Sequence, residues 1–279
     1  MSGAPDPGYV LARRVLLDAL EALAEQRDAV VLVGAQAVYL QTGEGDLAVA
    51  PYTLDADLAL IPAQLHARPD LAESLEAAGF RRTEHIGIWA KTVEVEGIVG
   101  EMTVDLFVPA LLGGPGRRAA RLEGHGERIA RKARGLEAAV VDNISLPVGP
   151  FEPGDPRCFE IAVAGPAALL VAKLHKLGER SADERASDKD SLDVLRLLRG
   201  LATELLADRL TALRTDPTAG EVTDAAIDYL GTMFADHRAV GAQMAARAAG
   251  PLEDPETIAA SCEALARDLL AALEAAREP

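Results

Sequence analysis

The chain has 279 residues, 49% of them apolar, and a formal net charge of −16. Length and apolar content give one large or two modest folded domains, and the acidity argues against non-specific coating of nucleic acid. With aromatics at only 4%, Ala, Leu and Val must fill the core; Cys158 and Cys262 match no zinc or redox spacing, residues 1–7 do not read as a signal peptide, and the apolar stretch 29–40 is too short to cross a membrane, so a cytoplasmic protein is expected.

Residues 8–26 place Val10, Leu11, Val15, Leu16, Leu20 and Leu23 at helical spacing. Residues 29–33 read as a buried strand, Gly34-Ala35-Gln36-Ala37 as a turn into a short helix, and 41–51 as a Gly-containing loop. Thr53-Leu54-Asp55-Ala56-Asp57-Leu58 then reads as a strand. Strand parity predicts Leu54, Ala56, Leu58 and Leu60 on a core face and Asp55 and Asp57 together on the other. Two such carboxylates repel each other unless a cation lies between them, and hard oxygen donors of this kind suit Mg²⁺. A chain with 44 acidic residues generates acid-x-acid pairs by chance roughly seven times, so context has to carry the pair.

A helix is predicted over 71–78, and strands over 86–95 and 102–108. In the last, Met102, Val104, Leu106 and Val108 alternate with Thr103, Asp105 and Phe107, which turns Asp105 away from the core. If this strand lies beside the Asp55/Asp57 strand, three carboxylates share one sheet face. Trp89 is expected in the core. Residues 112–116 read as a Gly-rich hinge rather than a phosphate loop, since no Lys-Ser/Thr follows. The segment 117–134 holds Arg117, Arg118, Arg121, Arg128, Arg131, Lys132 and Arg134 against Glu123 and Glu127; it reads either as a surface for phosphate-rich ligands or as a solvated helix face. His125 is expected to be exposed within it. Short strands are predicted over 139–141, 144–148 and 159–163.

From residue 165 the pattern turns helical: 166–177, 187–198, 202–213, 219–234, 237–249 and 254–276, the last opened by Asp254 and Pro255. Lys173, Lys176 and Arg180 fall on one stripe of the first of these helices, with His175 pointing elsewhere, and Asp190 and Asp193 share a face of the next. This is either an ion-pair set between helices or a phosphate-gripping lysine balanced by Asp190. The expected fold is α/β (α+β): a mixed sheet with flanking helices over 1–164, followed by an all-helical domain over 165–279.

In this order of strand, Gly turn, helix, Asp-x-Asp strand, single-Asp strand and helical half, the chain resembles the nucleotidyltransferase superfamily typified by DNA polymerase beta. It is most similar to the abortive-infection type toxin nucleotidyltransferases of bacterial toxin–antitoxin systems, through Thr53 before the acidic pair, Lys173-Leu174 and Lys189-Asp190-Ser191-Leu192-Asp193. The resemblance implies Mg²⁺ or Mn²⁺ held by Asp55, Asp57 and Asp105, with Lys173 and Asp190 completing the catalytic set. It implies an NTP bound by Gly34, Ala35, Thr53, Lys173 and Lys176, and transfer of NMP to a tRNA 3′ end or a protein hydroxyl. A toxin or phage-defence role, a cognate antitoxin and tRNA contacts over 117–134 belong to the same expectation; a membrane does not. The turn here reads Gly34-Ala35-Gln36, where the family carries Gly-Gly or Gly-Ser, so a hydroxyl is missing. The alternatives are a module of the same fold that binds nucleotide or partner without turnover, and an enzyme that nucleotidylates a small cationic molecule such as an antibiotic.

Overall fold

Asp6 starts the first helix, α1 (Pro7–Ala22): its carboxylate accepts from the N–H groups of Gly8 at 2.8 Å and Tyr9 at 3.4 Å, with Pro7 in the first turn. The computed structural model describes residues 5–43, 47, 52–95, 97–179 and 188–276. Most of the predicted 41–51 loop, Arg180 and Ser187 lie outside the described residues.

After α1 come β1 (Val30–Val33), α2 (Gly34–Thr42), β2 (Asp55–Leu60), α3 (Leu71–Ala77), β3 (Arg81–Arg82), β4 (Ile88–Val95), β5 (Ile98–Pro109), β6 (Arg131–Ala133), β7 (Asn143–Val148) and β8 (Phe159–Ala164). Among the described residues these strands form one mixed sheet, ordered β3-β4-β5-β2-β1-β8-β7, with β6 on β5. β1 runs antiparallel to β2 and parallel to β8, whereas β2 and β5 are parallel neighbours. α1 packs on β2, β4 and β5. The strand residues Ala56, Leu58, Leu60, Val104, Leu106 and Val108 are fully buried, as are Leu16 and Leu20 of the helix. Parity therefore holds along both acidic strands, with one exception: Leu54 precedes β2 and is exposed.

The second half is helical: α4 (Glu137–Val141), α5 (Pro166–Gly178), α6 (Asp188–Gly200), α7 (Thr203–Thr215), α8 (Gly220–Phe234), α9 (Val240–Ala249) and α10 (Pro255–Ala275). The predicted strand over 139–141 is instead α4. Its first-turn Glu137 accepts from the Gly135 N–H at 2.8 Å, and the helix packs on α5. A three-residue apolar run carries no period of its own, so packing decides. Asp142, just past α4, accepts from Ala168 N–H in the first turn of α5. Asp254 caps α10 through Thr257 N–H at 2.8 Å.

The chain divides into two units. The first contains residues 1–37, 50–133 and 143–164; the second contains 38–49, 134–142 and 165–279. The later part of α2 and all of α4 group with the helical segment 165–279. No helix among the described residues is long and apolar enough to cross a membrane.

Candidate active site

The parallel pairing of β2 with β5 sets Asp57 directly opposite Asp105 and Asp55 opposite Thr103. Neighbouring strands lie about 4.8 Å apart, so three acidic side chains leave neighbouring positions of the sheet, on the face away from α1, but their carboxylate oxygens do not all lie within 4.8 Å of one another. Asp55 and Asp57 are partly exposed and Asp105 is buried.

Three neighbours fix the pair. Thr53 is completely buried, and its hydroxyl hydrogen-bonds the Asp55 carboxylate, which places it behind the acid. Gly34 opens α2 at φ 68°, and a Cβ there would lie 1.8 Å from Asp57 Oδ2. Glycine alone combines that backbone angle with that approach. The Asp57 carboxylate thus lies against the first residue of α2, where a helix favours negative charge. Gln36, two residues later, is buried; its amide donates to the Asp55 carbonyl at 3.0 Å and to Ala12 O at 3.3 Å, and its oxygen accepts from Arg13 Nε at 2.9 Å. Arg13 also reaches Gly149 O at 3.0 Å and the Tyr9 hydroxyl at 3.2 Å, and its guanidinium lies 4.5 Å from the Phe151 ring centroid. Burial lowers the Arg13 pKa, and the Tyr9 hydroxyl partly offsets this. Gln36 therefore holds the start of the acidic strand. Ala35 beside it is buried.

Asp105 has a cationic partner. Arg131 of β6 forms an ion pair with it, and its guanidinium lies 4.5 Å from the ring centroid of Phe107. Arg131 is opposite Phe107 in the parallel β5–β6 pairing. β6 reaches β5 just past the end of β4 because Gly87, at φ 75°, leaves room: a Cβ there would lie 2.6 Å from Leu106 O and 2.7 Å from Arg131 N. Gly87 O accepts from Leu106 N–H at 2.7 Å.

The segment 117–134 is not a helix. It is loop leading into β6, and its cations divide between tasks. Arg131 holds Asp105, Lys132 reaches the carbonyls of Gly114 and Gly116, and Arg128 donates to Glu84 O. Arg117, Arg118 and Arg121 are exposed, and Arg117 and Arg121 line a groove of about 830 Å³ together with Glu123, Glu127 and Arg128. His125 is buried, not exposed. Its Nδ1 accepts from the N–H of Leu71, the first residue of α3, so a local helix end draws it inward. Trp89 is a core residue that donates to Ile129 O at 3.1 Å.

Lys173, Lys176 and Asp190 belong to the second unit and form a separate cluster there. Lys173 is 5% exposed; its ammonium lies 2.8 Å from Asp190 and 2.6 Å from Asp193. Lys176 shares Asp190 at 3.0 Å with its own side chain 45% exposed. Burial disfavours the Lys173 charge, but Asp190 and Asp193 outweigh it and hold its pKa well above the ordinary lysine range. Burial likewise works against Asp190, and the two lysines hold it well below the carboxylate range. The ion-pair arrangement is therefore present, and Lys176 presents the more open ammonium. His175 packs in the helical core, with Nε2 2.7 Å from Val222 O.

Asp236, His237 and Glu263 bring three ligand atoms within 4.8 Å of one another, at an exposed helix junction. Arg267 already pairs with Glu263 at 2.7 Å, and His237 Nδ1 lies 2.7 Å from the same carboxylate. Those neighbours account for the grouping without a cation.

Sequence reasoning missed Gln36, Arg13 and the pairing of Arg131 with Asp105. The one available signal was Arg13 itself, a charge set among the apolar residues of α1. No family model matches the chain, and neither a curated protein nor a solved structure matches it.

Proposed function

We propose that this protein is a metal-dependent nucleotidyltransferase that moves NMP from an NTP to an acceptor hydroxyl. The observation that carries the reading is the register pairing of Asp57 with Asp105, with Asp55 two residues earlier on the same face. Three oxygen-donor side chains on rigid strands suit a hard divalent cation, and Asp55 and Asp57 are the residues that would hold Mg²⁺ or Mn²⁺. Asp105 joins them only when Arg131 releases it. Such an ion supplies Lewis-acid stabilisation of charge on phosphoryl oxygens.

The chain's own residues do the rest. Thr53 and Gln36 fix Asp55 from behind, by its carboxylate and its carbonyl. Gly34 lets the start of α2, whose first N–H groups have no partner within the helix, approach the acidic face; a triphosphate is the anion such a helix end accepts. Of the two lysines that the resemblance assigns to phosphate, Lys176 has the open ammonium, and Lys173 holds α5 against α6. Arg117, Arg118 and Arg121 are the cations left for an RNA acceptor; the toxin setting and a cognate antitoxin rest on resemblance alone.

One observation favours a second reading. The Arg131–Asp105 pair neutralises the third carboxylate, as a module that binds nucleotide without turnover would allow. Incubation with labelled NTPs, Mg²⁺ and total RNA or lysate, beside Asp57→Ala, separates the two. Label transfer by the wild type alone supports catalysis. NTP binding by calorimetry without pyrophosphate release supports the module.

A further inference from the structure

We propose that Arg131 is a displaceable counter-ion: it holds Asp105 until a divalent cation takes its place. The inference rests on the metal-site reading of Asp55, Asp57 and Asp105. Asp105 is buried and directly opposite another carboxylate, so without a cation nearby its charge is poorly tolerated. The Arg131 guanidinium meets that need from an adjoining strand. A divalent cation bound by Asp57 and Asp105 would lie within a few ångströms of it, and like charges at that range exclude each other.

Four features make the arginine releasable. Its side chain is 36% exposed, so the head group is already partly solvated. Phe107, opposite it in register, offers a stacking surface that does not depend on Asp105. Its Nε is buried without a hydrogen-bond partner, so the held position leaves one donor unsatisfied. The strand that carries it has only three residues and pairs at the end of β5. Binding of cation and binding of guanidinium are therefore linked and oppose each other by the same factor in both directions.

The test is Mn²⁺ titration of the full chain, following free Mn²⁺ by electron paramagnetic resonance, which needs no turnover. Arg131→Gln is expected to tighten Mn²⁺ binding by about tenfold, within the usual range of coupling between competing sites, with Arg131→Lys between the two. Asp105→Asn should weaken binding and abolish the gain from Arg131→Gln. In the wild type, phenylglyoxal modification of Arg131, located by mass spectrometry, is expected to speed up when Mn²⁺ is added. This second arm decides the matter even if the Gln variant does not fold. Equal Mn²⁺ affinity in wild type and Arg131→Gln, with modification unchanged by Mn²⁺, overturns the proposal. If Asp57→Asn still abolishes binding in that case, the metal reading stands and only the arginine's role falls. No Mn²⁺ binding by either protein overturns both.

Discussion

Gly34 has the least freedom of any residue at the acidic face. Its backbone sits in the left-handed region, and the Asp57 carboxylate occupies the space a Cβ would need. Gly34→Ala is therefore expected to cost about 2–4 kcal/mol, combining backbone strain with overpacking, and to push the Asp57 carboxylate away. Urea unfolding measures the first effect and Mn²⁺ titration the second; a neutral substitution would contradict the close approach. Asp55, Asp57 and Asp105 were legible in the sequence because strand parity is strict and each is flanked by apolar residues. Gln36 and Arg131 were not. Their roles come from hydrogen bonds to residues 19 and 26 positions away, and a chain with seven cations over 117–134 does not mark which one turns inward.

At the scale of elements, helices with caps or long apolar periods could be read directly, as α1 by its apolar spacing and α10 by Asp254 show. Short runs could not: 139–141, predicted as a strand, folds as α4 against α5. The α5–α6 pair poses a functional question, because Lys173 and Lys176 both bond Asp190 but only Lys176 is open to solvent. Lys173→Met removes the buried cation that Asp190 and Asp193 share, leaving Asp190 its bond to Lys176, and is expected to cost about 3–5 kcal/mol. Lys176→Ala should leave the thermal midpoint within a few degrees and weaken NTP binding severalfold. The opposite pattern, a stable Lys173→Met with lost NTP binding, would return Lys173 to the phosphate role. The pH dependence has a definite sign. The Asp190 pKa is depressed on folding, so its stabilisation is complete above the unfolded carboxylate value of about 4. It is lost as pH falls through the lower folded value. The Lys173 pKa is raised, so its contribution persists below about 10.4 and is lost only in strong alkali. Asp190→Asn should lower stability at pH 7 and flatten the acid limb below pH 4, as read by urea midpoints across that range.

Over the whole molecule, the carboxylate face belongs to the sheet unit and the lysine cluster to the helical unit. The division between an α/β first half and a helical second half was legible from the change of period at residue 165. The grouping of 38–49 and 134–142 with the helices was not, because it depends on packing between segments far apart in the chain. The net charge of −16 makes acidic clusters inevitable, and the account turns on which one holds a cation. Anomalous scattering from crystals soaked in millimolar Mn²⁺ tests this most directly. A peak coordinated by Asp55 and Asp57 is expected. A peak only at Asp236, His237 and Glu263, or none at either place, would contradict it.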